Sequence, residues 1–409
     1  MRLPTGSEHY TSQTEMPADA FVLLERYAYD LGQTYDSYLV TEVDREYFWC
    51  AGRRGVVGFI RRGRNAYVVG GLIASPENRE ALLAAFLDFA ASRKLVVSFL
   101  NIGRNDLALF RRHNCQVSKF GEEPLIDLEK TTWNGKAYEW LRRQENFCIR
   151  QGLQFHEIAH DPGDAVYRDQ IVPELEEISR VHVAGTLHGK ELEFLEGRFR
   201  PLALGRRRLF VAVRQARTEA FVVCNPCLAG GMWAFEMYRR RPDATRGVIP
   251  YAMLQAMRKL KTEGVTYASL SLIPFVRSDI AMRGDSRLIH SAAWFWWRYL
   301  NWIFDMRGIY HYKSRFRPDF REMYLAAWPR VTVMSLLGLA AVWRVFSVNP
   351  FRLANHVWRK WQKSSRETLA RPEWRPKRLL RELRPRARCN EETCQPFNVP
   401  PPELPSELT

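Results

Sequence analysis

Cysteine is scarce, with seven in 409 residues at no regular spacing. That excludes the framework of a small secreted domain stapled by disulfides. The first twenty residues lack the apolar core of a signal peptide, and no stretch holds the ~18–20 uninterrupted apolar residues that cross a bilayer. No cluster of His, Cys, Asp and Glu has the spacing of a zinc or iron site. No Ser-His-Asp order can be argued from spacing either. A mostly disordered chain is excluded too, because 46% of the residues are hydrophobic and 26% charged. What is expected is a folded chain of two or three domains in a reducing, intracellular compartment.

Acid is in short supply as well: 45 Asp+Glu stand against 61 Lys+Arg, a net charge of +16. The excess is concentrated. Residues 352–388 carry thirteen basic residues against three acids, a net +10. The stretch from Cys389 to Thr409 has four Glu, no basic residue and many prolines, and reads as a disordered tail. Just before the basic segment, Val331–Trp343 is uncharged, too short to span a membrane and suited to a core or interfacial helix. Nine of the thirteen tryptophans fall between 294 and 374. Indoles among arginines suit an anionic membrane surface. A buried helix with a solvated basic tail, or a nucleic-acid footprint, would use the same residues.

Two parts of the chain repeat one order of elements. Tyr47–Ala51, Val56–Ile60 and Ala66–Ile73 read as strands parted by glycine-bearing turns. Ser75-Pro76 opens a helix whose Leu82, Leu83, Phe86, Phe89 and Ala90 recur at helical spacing, and Leu95–Leu100 returns as a strand. In the second part, Leu209–Val213, Ala220–Val223 and Met232–Met237 read as strands. A helix over Val248–Glu263 stops at Gly264, and Val265–Ile273 is the returning strand. Antiparallel strands, a helix and a further strand are the order of the GNAT acyltransferase fold. An acyl-CoA donor is disfavoured, because neither helix is preceded by a glycine-rich turn to cradle a pyrophosphate. The expected architecture is α/β with mixed sheets: two tandem GNAT-like domains and a C-terminal basic helical extension. Its divisions are a flexible N-terminus over 1–30, a first GNAT-like domain over 31–160 and a second, catalytic one over 161–330. Amphipathic and basic membrane-proximal helices follow over 331–388, then the tail over 389–409.

Several stretches are then recognisable. Phe120-Gly121-Glu122-Glu123, Ile126-Asp127-Leu128, Asn134-Gly135-Lys136 and Arg150-Gln151-Gly152 resemble the centre of the phosphatidylglycerol lysyltransferase C-terminal domain. The run Phe304-Asp305-Met306-Arg307-Gly308-Ile309-Tyr310-His311-Tyr312-Lys313-Ser314-Arg315-Phe316-Arg317-Pro318 resembles that family's closing motif. Glu196-Gly197-Arg198-Phe199, Glu236-Met237-Tyr238-Arg239 and Ser269-Leu270-Ser271 are similar to further family stretches, with Glu236 where the family usually has aspartate. Another departure is Ile249-Pro250, where the family commonly has an aspartate. The resemblance implies transfer of an amino acid from aminoacyl-tRNA to a hydroxyl of a membrane lipid, typically phosphatidylglycerol. Such transfer lowers the negative charge of the membrane surface and fits resistance to antimicrobial peptides. It further implies no cofactor beyond the aminoacyl-tRNA donor, a peripheral place on the inner face of the cell membrane, and a product that either is moved by a separate flippase or stays on the inner leaflet. A non-lipid acceptor, or a non-catalytic membrane- or RNA-binding role, are the alternatives.

Acyl transfer between oxygens needs a proton acceptor and donors for the oxyanion. Lys313, Glu236 and Arg239 are the catalytic candidates. Lys313, Arg315 and Arg317 would form one cationic row if that segment were extended. Glu236 and Arg239 would share a face on a helical turn and point oppositely on a strand, and the spacing does not decide between the two. Arg315, Arg317, Ser271, Arg198 and Glu122 are the candidate substrate contacts, with organisation of the domain interface the alternative for Glu122. Cys224-x-x-Cys227 has no partner pair at metal spacing and reads as structural.

Overall fold

The computed structural model describes residues 5–347, apart from 193, 279–284, 302 and 304. The basic segment 352–388 and the tail therefore lie outside the described residues. The chain enters through β1 (Glu8–Tyr10) and α1 (Ala18–Asp30). Ala20, Leu24 and Ala28, spaced by one helical turn, bury one face of α1, and β1 pairs with the next strand. The N-terminus expected to be flexible is thus an ordered layer of the core from β1 onward.

β2 (Glu46–Trp49), β3 (Gly55–Arg62) and β4 (Asn65–Val68) form an antiparallel run, and the short β5 (Ile73–Ala74) pairs with β3. Pro76 opens a single 3-10 turn, and the helix proper, α2 (Arg79–Ser92), begins three residues later. It buries Leu82, Leu83, Phe86, Phe89 and Ala90 and delivers β6 (Val96–Ile102) parallel to β4. α3 (Leu107–Arg112) then leads to the long β7 (Gln116–Asp127).

The second half repeats the frame. After α4 (Glu139–Arg150), β8 (Gln154–Ile158) and α5 (Val172–Gly185) come β9 (Arg208–Arg214), β10 (Arg217–Cys227) and β11 (Met232–Arg240). α6 (Val248–Thr262) buries Met253, Leu254, Met257 and Leu260, and delivers β12 (Tyr267–Ser269) parallel to β11. The single returning strand expected over 265–273 is divided, because Ser271 has φ +62° and breaks the pairing before β13 (Ile273–Pro274). α7 (Arg287–Phe295), α8 (Met306–Ser314), β14 (Asp319–Trp328) and α9 (Val333–Val342) complete the described chain.

The two halves are not separable domains. One sheet runs β1-β2-β3-β4-β6-β14-β7-β12-β11-β10-β9-β8. β14, from the second half, lies between β6 and β7, while β7, from the first, lies between β14 and β12. Each half is closed by the other's last strand. The expected boundary at 160 also parts β8 from its partner β9. A cut there would strand backbone donors and acceptors along buried edges. α9 starts at a reciprocal cap between Thr332 and Ser335. Among the described residues no helix is long and apolar enough to cross a membrane.

Candidate active site

A pocket of about 320 Å³ opens beside β11. Its walls come from α5, the loop between α5 and β9, β11, the turn after β12, and α8, with Tyr35 contributed by the first half. Glu236 owes its place to a slip in the sheet. Val223 pairs with Met237 and Cys224 with Phe235, so Glu236 is the extra residue of a β-bulge. On a regular strand, residues three apart face opposite ways. The bulge cancels that alternation, and Glu236 and Arg239 line the same pocket.

Glu236 accepts hydrogen bonds from the Gly197 backbone N–H and the Asn225 side-chain amide. Asn225 is oriented in turn by Arg207, whose Nε donates to Asn225 Oδ1 at 2.8 Å and which reaches Glu42 at 2.7 Å. A Cβ on Gly197 would stand 2.7 Å from Glu236 Oε1, so a side chain there would press on the carboxylate. Burial raises the Glu236 pKa above the usual carboxylate range, against the pull of Arg207. Arg239 is buried, hydrogen-bonded to Ser179 on α5, paired with Glu191 at 2.6 Å and placed over the Phe199 ring.

Lys313 sits in the last turn of α8. Asp305 caps that helix by accepting from the Gly308 N–H at 3.0 Å. Its Nζ donates to two backbone carbonyls, Ser271 O at 3.0 Å and Leu272 O at 3.3 Å, which the left-handed turn at Ser271 presents. Burial pushes its pKa down to about 8, with Glu196 and Glu123 opposing. The row expected for Lys313, Arg315 and Arg317 does not form, because the segment is helical through Ser314. Arg315 lies over the Trp140 ring and donates to His311, while Arg317 donates to Ala137 O at 3.1 Å. Both fasten the approach to α4 and lie outside the pocket.

The remaining candidates divide. Ser271 lines the pocket and donates to Phe235 O at 3.3 Å. Arg198 pairs with Asp44 at 3.1 Å, outside the pocket lining, and helps pin the loop that carries Gly197. Glu122 sits on β7 and pairs with Lys119 at 2.8 Å, also outside the lining. Its neighbour Glu123 ties three strands, accepting from Ser269 at 2.6 Å and from Arg321 at 2.6 Å. Cys224 and Cys227 are buried, with thiols pushed well above the usual range by burial. Among the described residues no group of three or more His, Cys, Asp and Glu could hold a metal ion.

Choosing single residues from the sequence passes over Glu196. It lines the pocket and is exposed as a residue, yet the protein around its carboxyl removes enough water to raise its pKa to about 7. The Glu236 charge adds to that rise, and Arg239 and Lys313 oppose it. A carboxyl raised to about 7 and an amine lowered to about 8 thus line one pocket, both within the range that general acid–base chemistry uses.

A repeated strand–helix–strand frame, closed by exchanged strands around a pocket, is a tandem GNAT-like fold. The chain belongs to the family described as phosphatidylglycerol lysyltransferase, C-terminal, whose model matches residues 24–327. Phosphatidylglycerol lysyltransferase of Bacillus subtilis is 25% identical over 284 residues, covering 69% of this chain and 32% of that protein. The Staphylococcus aureus enzyme of the same name is 21% identical over 296 residues, covering 72% of this chain and 34% of that protein. The chain thus spans about a third of the length of these curated relatives. Among solved structures, L-PGS from Bacillus licheniformis superposes with a TM-score of 0.67 at 21% identity, over 79% of this chain and 95% of that one. The C-terminal domain of a putative lysylphosphatidylglycerol synthetase from Agrobacterium fabrum gives 0.65 at 20% identity, over 78% and 95%. At such identities the likeness speaks to the fold.

Proposed function

We propose that the chain transfers an amino acid from aminoacyl-tRNA to a hydroxyl of a membrane lipid, with phosphatidylglycerol the acceptor its family favours. One observation carries this reading: a buried lysine held among carbonyls shares a pocket with a carboxyl that titrates near neutrality. The reaction is ester exchange. The acceptor hydroxyl oxygen attacks the ester carbonyl carbon, its proton passes to Glu196, and the oxyanion that forms meets the Lys313 ammonium. Collapse restores the carbonyl, breaks the bond to the terminal ribose oxygen and returns the proton from Glu196 to that oxygen. One ester forms as another breaks, so the charged tRNA supplies all the balance needs. Glu236, fixed by Gly197 and Asn225, receives the donor's α-ammonium, and Arg239 with Lys190 serves the lipid phosphate.

Basic grooves beside the pocket support a nucleic-acid donor. Arg143 and Arg150 on α4 and Arg246 line one groove with the exposed Phe147 and Ile149. A second groove at the start of α6 shares Arg246 with the first, and His182 and Tyr238 with the pocket. Cations for phosphates and an aromatic for bases are what a single-stranded acceptor end uses. In this reading the chain works peripherally on the inner face of the cell membrane. The test is the lipid extract of cells expressing the full chain, compared with Lys313→Ala. A new aminolipid should appear with the first and be absent with the second. An unchanged lipid profile in both overturns the lipid acceptor.

A further inference from the structure

α9 is inside out by the standard of a helix in water. Its buried positions include Ser335, while Val333, Met334 and Leu337 stand more than half exposed. A surface helix normally turns its apolar stripe inward and its polar residues out. The packing below is nonetheless close and specific. Tyr67 donates from its hydroxyl to Ser335 O at 2.8 Å, and a Cβ on Gly338 would collide with that same hydroxyl. The helix is therefore fixed in this orientation, with its most apolar side outward.

The exposure continues into α7. Of thirteen exposed large hydrophobic residues among those described, eight fall between Leu288 and Phe346, including Trp294, Phe295 and Tyr299. Trp296, in the turn after α7, meets Phe346, just past α9, with ring centroids 5.8 Å apart, so the two segments touch. The charge of this part of the chain is mainly basic. Between Arg287 and Ser347 nine basic residues stand against three acids. Asp305 is occupied as the α8 cap, and Glu322 binds Lys119 and Tyr324. Arg298, Arg307, Arg330 and Arg344 are exposed, and Arg307 lies 5.2 Å over the Trp297 ring. The patch also borders the pocket, to which Trp343, next to α9, and Ile309 on α8 contribute.

We infer that the face formed by α7 and α9 docks on an anionic lipid bilayer, lying in its surface with the pocket alongside. This rests on the reading that the acceptor is a lipid. Helices of nine and ten residues are too short to cross and suited to lying in the interface. Indole and phenol rings belong at headgroup level, and arginines meet the negative surface. The docking makes a membrane-embedded headgroup reachable without the lipid leaving its leaflet.

Flotation of the full chain with vesicles tests the docking apart from the chemistry. Binding should be strong to phosphatidylglycerol–phosphatidylcholine vesicles and weak to phosphatidylcholine alone. The double variant Met334→Glu, Leu337→Glu should lose about tenfold or more in binding, since two apolar side chains no longer enter the interface. A second pair on the other helix, Trp294→Ser with Phe295→Ser, should lose comparably and guards against misfolding of the first. Transfer to phosphatidylglycerol dispersed in detergent should stay within about twofold of wild type for both pairs, because neither pair lines the pocket. Undiminished vesicle binding by both pairs overturns the docking, as does a chain whose patch is covered by a second copy, seen as a dimer that the variants dissociate. Failure of the wild type to transfer in any form defeats the lipid-acceptor reading and leaves the flotation result standing.

Discussion

Two lysines, one in each half, are buried to the same degree, 6% exposed, and their surroundings differ in kind. Lys119 on β7 has two carboxylates, Glu122 at 2.8 Å and Glu322 at 3.1 Å. Lys313 on α8 has two neutral carbonyls, and burial holds its pKa down to about 8. Lys119 is thereby tied into the sheet, whereas Lys313, on which Glu196 and Glu123 act only through space, keeps a donor for something that arrives. The halves differ in the same way. In the first, β4 and β6 close over an apolar cluster. In the second, a bulge at Glu236 and a left-handed turn at Ser271 lie in the wall of a pocket that carries charged side chains. One frame occurs twice, and the pocket lies mainly against the irregular copy.

The largest expected break in that comparison is Lys313→Ala. Loss of the oxyanion's cation should lower transfer by about 10²–10³-fold while the protein stays folded. Lys119→Ala should do the reverse. It leaves Glu122 buried with only the longer Arg277 pair at 3.6 Å and costs about 3 kcal/mol in denaturant unfolding, with turnover per folded molecule unchanged. If Lys119→Ala abolished turnover without loss of stability, the division of labour would fail.

Next in size is Glu196→Gln, expected to lower transfer by about 10²-fold. In the wild type, activity should rise with pH through about 7 as Glu196 ionises, and fall above about 8 as Lys313 loses its proton. The variant should lose the acidic limb alone. Stability carries the same signature. Because Glu196 holds its proton more tightly folded than unfolded, wild-type stability falls as pH rises from the ordinary carboxylate range to about 7. Glu196→Gln should therefore melt higher than wild type above pH 7 and lose that advantage in acid. Identical pH profiles for the two proteins would remove Glu196 from the mechanism.

Local pattern carried much of this into the sequence. The apolar spacing of α2 and α6 and the order of strands around them are period signals, and both crossovers lie where they are expected. The closing motif marks Lys313, but alternation of Lys313, Arg315 and Arg317 competes with a helical period. Met306, Ile309 and Lys313 recur at three and four, behind the Asp305 cap, and that helical signal is the one the fold obeys. The exchange of β7 and β14 and the bulge at Glu236 depend on which strand lies alongside, and no local pattern encodes that. Glu196 is visible as a residue, whereas its raised pKa depends on the desolvation of its carboxyl that only the folded chain creates and on Glu236, forty positions away.

The smallest expected effect falls on Arg315, and it separates a cationic row from a single cation. A row of three would share phosphate or oxyanion charge, so Arg315→Ala would cost a large part of the activity. In the fold, its guanidinium lies 4.7 Å from the Trp140 centroid and donates to His311, outside the pocket lining. Removing it deletes a cation–π contact at a half-exposed site, about 0.5–1 kcal/mol of stability, and leaves Lys313 among its carbonyls. Steady-state transfer by Arg315→Ala should stay within about threefold of wild type, with the pH limbs at about 7 and 8 in place. A loss approaching that of Lys313→Ala would mean that the end of α8 unwinds when substrate binds and turns Arg315 inward, making the buried lysine one of several cations and not the decisive one.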